Sequence, residues 1–209
     1  MSLAKASIWT AGSTLIKIGV GLLIVKLLAV SFGPSGVGQA GNFRQLITVL
    51  GVLSGAGIFN GITRYVAQYQ QEPEQLRKAL GTSASIILGF STLLAVLFLL
   101  FAEPISAALF GYVKYQNVVR AVAFIQMGIA YANFFLAILK GYRDAVGNAL
   151  GVIGGSLFGV IGYVVCYLLG GYEGALAGLA LVPALVVIPA GFILWRRKTI
   201  PLHYIKPMW

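Results

Sequence analysis

Six apolar runs, at roughly 8–30, 45–67, 79–102, 118–139, 149–169 and 174–195, fill most of this 209-residue chain. At about 1.5 Å of rise per residue, each is long enough to cross a ~30 Å hydrocarbon layer as a helix. A spanning helix satisfies its own backbone polar groups, so such runs restrict the chain to an all-α membrane protein. The expected organisation is one six-helix transmembrane lobe over 1–195 and a basic juxtamembrane tail over 196–209. Charged residues are 10% of the chain and hydrophobic residues 59%, whereas soluble domains carry about a quarter charged. Residues 1–7 are too short, and the first apolar run too long, for a cleaved leader, so the first helix is expected in the mature protein.

Fifteen Lys and Arg oppose five Asp and Glu, a net charge of +10. In a soluble chain this would point to nucleic acid. Here most cations border apolar runs, so bilayer orientation explains them first and attraction of an anion second. Grouping the N-terminus, the polar stretches near 70–78 and 140–144 and the tail collects Lys5, Arg64, Arg77, Lys78, Lys140, Arg143, Arg196, Arg197, Lys198 and Lys206. Arg44, Lys114 and Arg120 remain for the other side. The positive-inside rule then puts both termini in the cytoplasm.

The breaks between the runs have distinct chemistry. Ser31 to Asn42 (SFGPSGVGQAGN) combines glycines with a proline and reads as a reversal. YQQEPEQLRK is the most polar stretch, and EPISAALFGYVKYQN reads as an interfacial helix with tyrosines at headgroup depth. Pro183 and Pro189 fall inside the sixth run and imply either a hinge or a fixed bend. Gly147, Gly151, Gly155 and Gly159 recur every four residues, and Gly174 and Gly178 lie in the sixth run, a spacing that lets helix backbones approach closely. GVIGGSLFG lacks the lysine of a phosphate loop.

Polar groups inside the runs mark the candidate site. Lys17 lies near the middle of the first run, where insertion of a lysine costs about 2.5–3.5 kcal/mol. It shares a helical stripe with Thr10, Ser13, Thr14 and Gly21, and reads either as a cation on the wall of a wet cavity or as an interhelical hydrogen-bond anchor. Lys26 has two open readings, a cavity cation or a side chain snorkelling to the membrane surface. Arg44 opposes the orientation rule, whereas Arg64 fits the cytoplasmic rim; both are candidate cavity cations. Asn42 and Thr48 accompany Arg44. Gln126, Asn133 and Lys140 form a stripe on the fourth run that either lines the cavity or bonds between helices.

None of the five acids lies deep in a run. A cation site or proton relay of the usual kind uses an embedded carboxylate, so the buried positive charge suits an anionic cargo. The single His203 and single Cys166 leave no set for a metal cluster, a disulfide or a Ser-His-Asp arrangement. No metal, cofactor or catalytic residue is expected.

Several segments carry a family resemblance: MSLAKASIWTAGSTLIKIG, KLLAVSFGP, NFRQLITVLGVLSGAGIFNGITRYVAQY, GNALGVIGGSLFGV, GGYEGALAGLALVPALVVIPA and IPLHYIKP. Together they resemble the first half of the Wzx-type polysaccharide transporters of the multidrug/oligosaccharidyl-lipid/polysaccharide exporter superfamily, in particular the enterobacterial lipid III flippases. The resemblance implies an inner-membrane protein that moves undecaprenyl-diphosphate-linked trisaccharide between leaflets for enterobacterial common antigen. It also implies two six-helix lobes around a cation-lined cavity, with Lys17, and then Lys26, Arg44 and Arg64, as the matching cations. Members are about twice as long, so the implied partners are a missing second lobe, a second copy, or other antigen-assembly membrane proteins. A cation or drug antiporter of the same superfamily and a non-transporting membrane scaffold are the rival expectations.

Overall fold

The computed structural model describes residues 3–197 and Tyr204. Of the expected tail, Arg196, Arg197 and Tyr204 are included; Lys198, His203 and Lys206 lie outside the described residues. The helices are α1 (Leu3–Leu53), α2 (Phe59–Tyr69), α3 (Pro73–Leu100), α4 (Ala102–Phe110), α5 (Gln116–Gly141), α6 (Ala145–Ala184) and α7 (Val187–Arg196), with a 3₁₀ turn at Val113–Tyr115. Among the described residues, four continuous helical stretches are long and apolar enough to cross a membrane. Two of them double back, so the four stretches make six rods. The chain is a multi-pass membrane protein.

The first reversal is confined to Gly33. Its φ of 67° and ψ of −171° lie in a region open essentially only to glycine, and Pro34 follows at the start of the next helix. The twelve-residue break expected from the sequence is therefore a single-residue turn, and the second rod begins at residue 34 rather than 45. The two arms of α1, 3–32 and 34–53, lie side by side: Arg44 reaches Gly21, although a straight helix would hold these residues about 34 Å apart. Gly171 (φ 54°, ψ −129°) reverses α6 in the same way. The two turns are stapled together, since the Tyr172 hydroxyl donates to Gly36 O at 2.8 Å and the Phe32 and Tyr172 rings pack at 4.8 Å.

The arms of α6, with α7, form an antiparallel pair in one register. A Cβ on Gly155 would lie 2.5 Å from Val186 Cα, one on Gly159 2.9 Å from Val182 Cα, and one on Gly178 3.0 Å from Tyr163 Cα. Gly151 faces Ala190 at 3.5 Å, and Gly174 meets the Cys166 carbonyl. At Gly155, Gly159, Gly174 and Gly178 backbones this close leave no room for a side chain, whereas a Cβ on Gly151 would make ordinary contact. Gly147 differs from the others: its amide donates to Asp144 Oδ1 at 2.9 Å, so it belongs to the N-terminal cap of α6.

Two apolar cores hold the rods. Around the turns, Phe43, Val119, Val122, Tyr163 and Leu176 are buried, and Phe110 packs on Phe43 and Tyr115. At the opposite end, Ile62, Leu80, Phe134, Ile138 and Leu194 form the second. There Asp144 also pairs with Arg197, tying the α5–α6 connection to the end of α7. The sixth run breaks after Pro183, between α6 and α7, because Pro183 and Pro189 both lack the amide a continuous helix requires. The second run is broken as well, at 54–58, where its apolar length predicts a single helix.

Candidate functional site

A cleft of about 380 Å³ lies between both arms of α1, α5 and the α6–α7 pair. Its polar lining is Lys17, Arg44, Thr48, Asn133 and Ser156; its walls include Val20, Ile24, Ile47, Ile129, Leu136, Leu179 and Val186. Each contribution follows from helical register. Lys17 and Gly21 are one turn apart on the first arm, and Arg44, Thr48 and Gly51 follow the same periodicity on the second. Counted from the turn at Gly33, Lys17 lies about 24 Å down its arm and Thr48 about 22 Å, so the two are level; Arg44 is about 16 Å down, one turn above.

Because the second arm starts at residue 34, Arg44 sits well inside its helix and not at the membrane rim expected from the sequence. Gly21 makes room for it: Arg44 Nη2 lies 3.2 Å from the point a Cβ there would occupy. Lys17 and Arg44 are both exposed to the cleft volume. Among the described residues, the lining includes these two cations and no carboxylate. Low-dielectric apolar walls strengthen the field of such a pair on any anion that enters.

Two neighbouring polar groups are committed to the backbone. Thr48 Oγ1 donates to Arg44 O at 3.0 Å, and Asn133 Nδ2 donates to Gly51 O at 3.0 Å.

The other sequence candidates lie elsewhere. Lys26 and Arg64 are outside the cleft lining, as are Thr14, Asn42 and Lys140. Thr14 Oγ1 donates to Thr10 O at 2.9 Å. Gln126 is fully buried, with Nε2 donating to Ser91 O at 2.6 Å. Ser156 and Val182 line the cleft without having stood out in the sequence, and Pro183, expected only as a bend or hinge of the sixth run, lines it too. Their signal is the same four-residue glycine period, because Ser156 adjoins Gly155 on the face that meets the sixth rod.

The sequence pattern of the polysaccharide biosynthesis protein family matches residues 3–208. The chain belongs to that family. It is 67% identical over all 209 residues to the Lipid III flippase of Escherichia coli K12, and equally to that of Shigella flexneri. In both cases the chain spans about half (50%) of the relative's length. The crystal structure of a MATE point mutant shares the fold with a TM-score of 0.64 over 98% of this chain and 47% of that one, at 21% identity. This member of the polysaccharide biosynthesis family thus presents a MATE-like helical lobe with two cations in one cleft.

Proposed function

We propose that this chain is one lobe of a flippase that carries undecaprenyl-diphosphate-linked trisaccharide, lipid III, from the cytoplasmic to the periplasmic leaflet of the bacterial inner membrane for enterobacterial common antigen synthesis. The carrying observation is the convergence of Lys17 and Arg44 on one cleft whose lining residues include no carboxylate. A diphosphate is the part of such a lipid that two cations recognise, because charge-assisted hydrogen bonds to phosphate are stronger than neutral ones. Lys17 supplies a mobile point charge and Arg44 a planar fork suited to two phosphate oxygens. The polyprenyl tail stays in the bilayer, and no bond is made or broken.

The identity to the two Lipid III flippases supports this cargo. Their double length supports a second lobe of comparable size as the partner that closes the cleft; a second copy of this chain is the alternative source. Rocking of two lobes about the cleft then exposes it to each side in turn. Both termini are cytoplasmic in this reading. With Arg44 inside the membrane, Lys114 and Arg120 remain as the cations near the opposite side, which sharpens the charge asymmetry.

The test is binding of undecaprenyl diphosphate to the chain in nanodiscs by native mass spectrometry, beside complementation of a flippase-deficient enterobacterium with a full-length relative as control. Lys17→Ala with Arg44→Ala is expected to weaken binding by roughly tenfold or more. Unchanged binding in the folded double variant would sink the cation-pair reading.

A further inference from the structure

The second membrane-crossing unit is two helices joined by a break. Between Leu53 and Phe59 the regular ladder fails: Gly55 N–H turns to Val52 O at 3.3 Å and Ile58 N–H to Gly55 O at 3.0 Å, while Ala56 and Gly57 take φ of 50° and 71°. A continuous helix would send those two amides to Gly51 O and Ser54 O. Both carbonyls are instead met by side chains from other helices. Asn133 Nδ2 donates to Gly51 O at 3.0 Å, and Ser91 Oγ donates to Ser54 O at 3.0 Å.

Ser91 is itself held, because Gln126 Nε2 donates to its carbonyl at 2.6 Å. Below the break, Thr63 Oγ1 donates to Ala137 O at 3.2 Å. Gln126, Asn133 and Ala137 recur at helical spacing along one face of α5; Asn133 and the Ala137 carbonyl hold the second unit directly on either side of its break, and Gln126 supports the break through Ser91. Ser54, Ser91 and Gln126 are fully buried, yet Ser54 Oγ and Gln126 Oε1 have no hydrogen-bond partner among the described residues. Side chains satisfy the backbone here, and part of the side-chain capacity is left over.

Gly51 O and Ser54 O therefore have two complete sets of donors. In the broken form the donors are Asn133 and Ser91. In a straight form they are the Gly55 and Ile58 amides, and Ala56 leaves the left-handed region that disfavours a residue with a Cβ. Neither form leaves these two carbonyls bare; the straight form frees two side-chain donors, the Asn133 amide into the cleft and the Ser91 hydroxyl inside the core.

We infer that residues 54–58 are a two-state hinge, broken in this structure and straight in its alternative, with Asn133 as the side chain that changes partner. Asn133 lines the cleft with Lys17 and Arg44. When Gly51 O takes the Gly55 amide, the Asn133 amide is released into the cleft as an added donor. Straightening also reorients α2, which carries Arg64, relative to the arm that carries Arg44. The inference rests on hydrogen-bond geometry and holds whatever the cargo is.

The test uses the full chain in nanodiscs, with Cys166→Ser and spin labels at Val49 and Gln68, both exposed and on opposite sides of the break. Pulsed electron resonance reads their separation, and a straight helix would place the two Cα atoms roughly 28 Å apart. Gly57→Ala penalises the positive φ of the broken form, and Asn133→Ala removes a donor that only that form uses. Both are expected to enrich the long-distance component. Ala56→Gly relieves the broken form and is expected to deplete it, so that the ratio of the two components differs roughly fivefold or more between the opposed variants. If Gly57→Ala fails to fold, Asn133→Ala against Ala56→Gly carries the same comparison. One distance distribution, unchanged across folded variants of opposite sign, would overturn the hinge.

Discussion

The guanidinium of Arg44 rests over Gly21, with Nη2 3.2 Å from where a Cβ would be. The contact crosses the hairpin of α1 and places a cation of the second arm one turn above Lys17 on the first. A side chain at position 21 would push the tip of a flexible residue and leave the backbone alone. Gly21→Leu is therefore expected to leave folding intact and to weaken undecaprenyl diphosphate binding severalfold by displacing Arg44. Gly19→Leu is the control, since nothing lies within 4 Å of its Cβ position. Native mass spectrometry of the two variants, side by side, checks it; equal binding would detach Arg44 from the site.

The Gly33 turn is limited by conformation, not by space. Nothing lies within 4 Å of a Cβ there, but its φ of 67° with ψ of −171° excludes other residues. Gly33→Ala is expected to destabilise the lobe by about 1–3 kcal/mol, the usual strain of such a residue. Thermal unfolding in detergent reads the loss, and a wild-type midpoint would show that the turn has another accessible geometry.

At Gly155 the limit is a neighbouring backbone. Its Cβ would come 2.5 Å from Val186 Cα, an atom that moves only with the helix. Gly155→Ala is expected to cost about 1–3 kcal/mol through overpacking. Gly170→Ala meets nothing within 4 Å and should be near neutral in the same unfolding assay.

Asp144 has two separable roles. It caps α6 through Gly147 N–H and pairs with Arg197, whose side chain is 42% exposed. Exposure screens the pair, so Asp144→Asn, which keeps the cap, is expected to cost under about 1 kcal/mol and to lose its effect in high salt. Asp144→Ala removes both and should cost about 1 kcal/mol more, independent of salt. Chemical unfolding at two ionic strengths separates the two roles.

Much of the architecture was legible in residue order. Runs of apolar residues at membrane length dictated helices because a backbone in lipid has no other way to satisfy itself. A lysine at the centre of the first run signalled an interior site because lipid cannot solvate it. Where a glycine sits in the turn, and whether a serine-glycine stretch such as Ser54 to Gly57 breaks a helix, was not legible. The second depends on donors that arrive from elsewhere, Asn133 and Ser91.

The sequence by itself thus determined the helical class, the reversals as a kind and the presence of embedded positive charge, all of them local consequences of hydropathy and backbone chemistry. Only the tertiary structure decided which charges meet. Lys17 and Arg44 share a cleft because Gly33 folds their helices together at matching depth, while Lys26 and Arg64, of the same residue types, fall outside its lining. Register between distant helices is set by close packing of backbones, as between Gly155 and Val186, and no single stretch of sequence contains both sides of that contact.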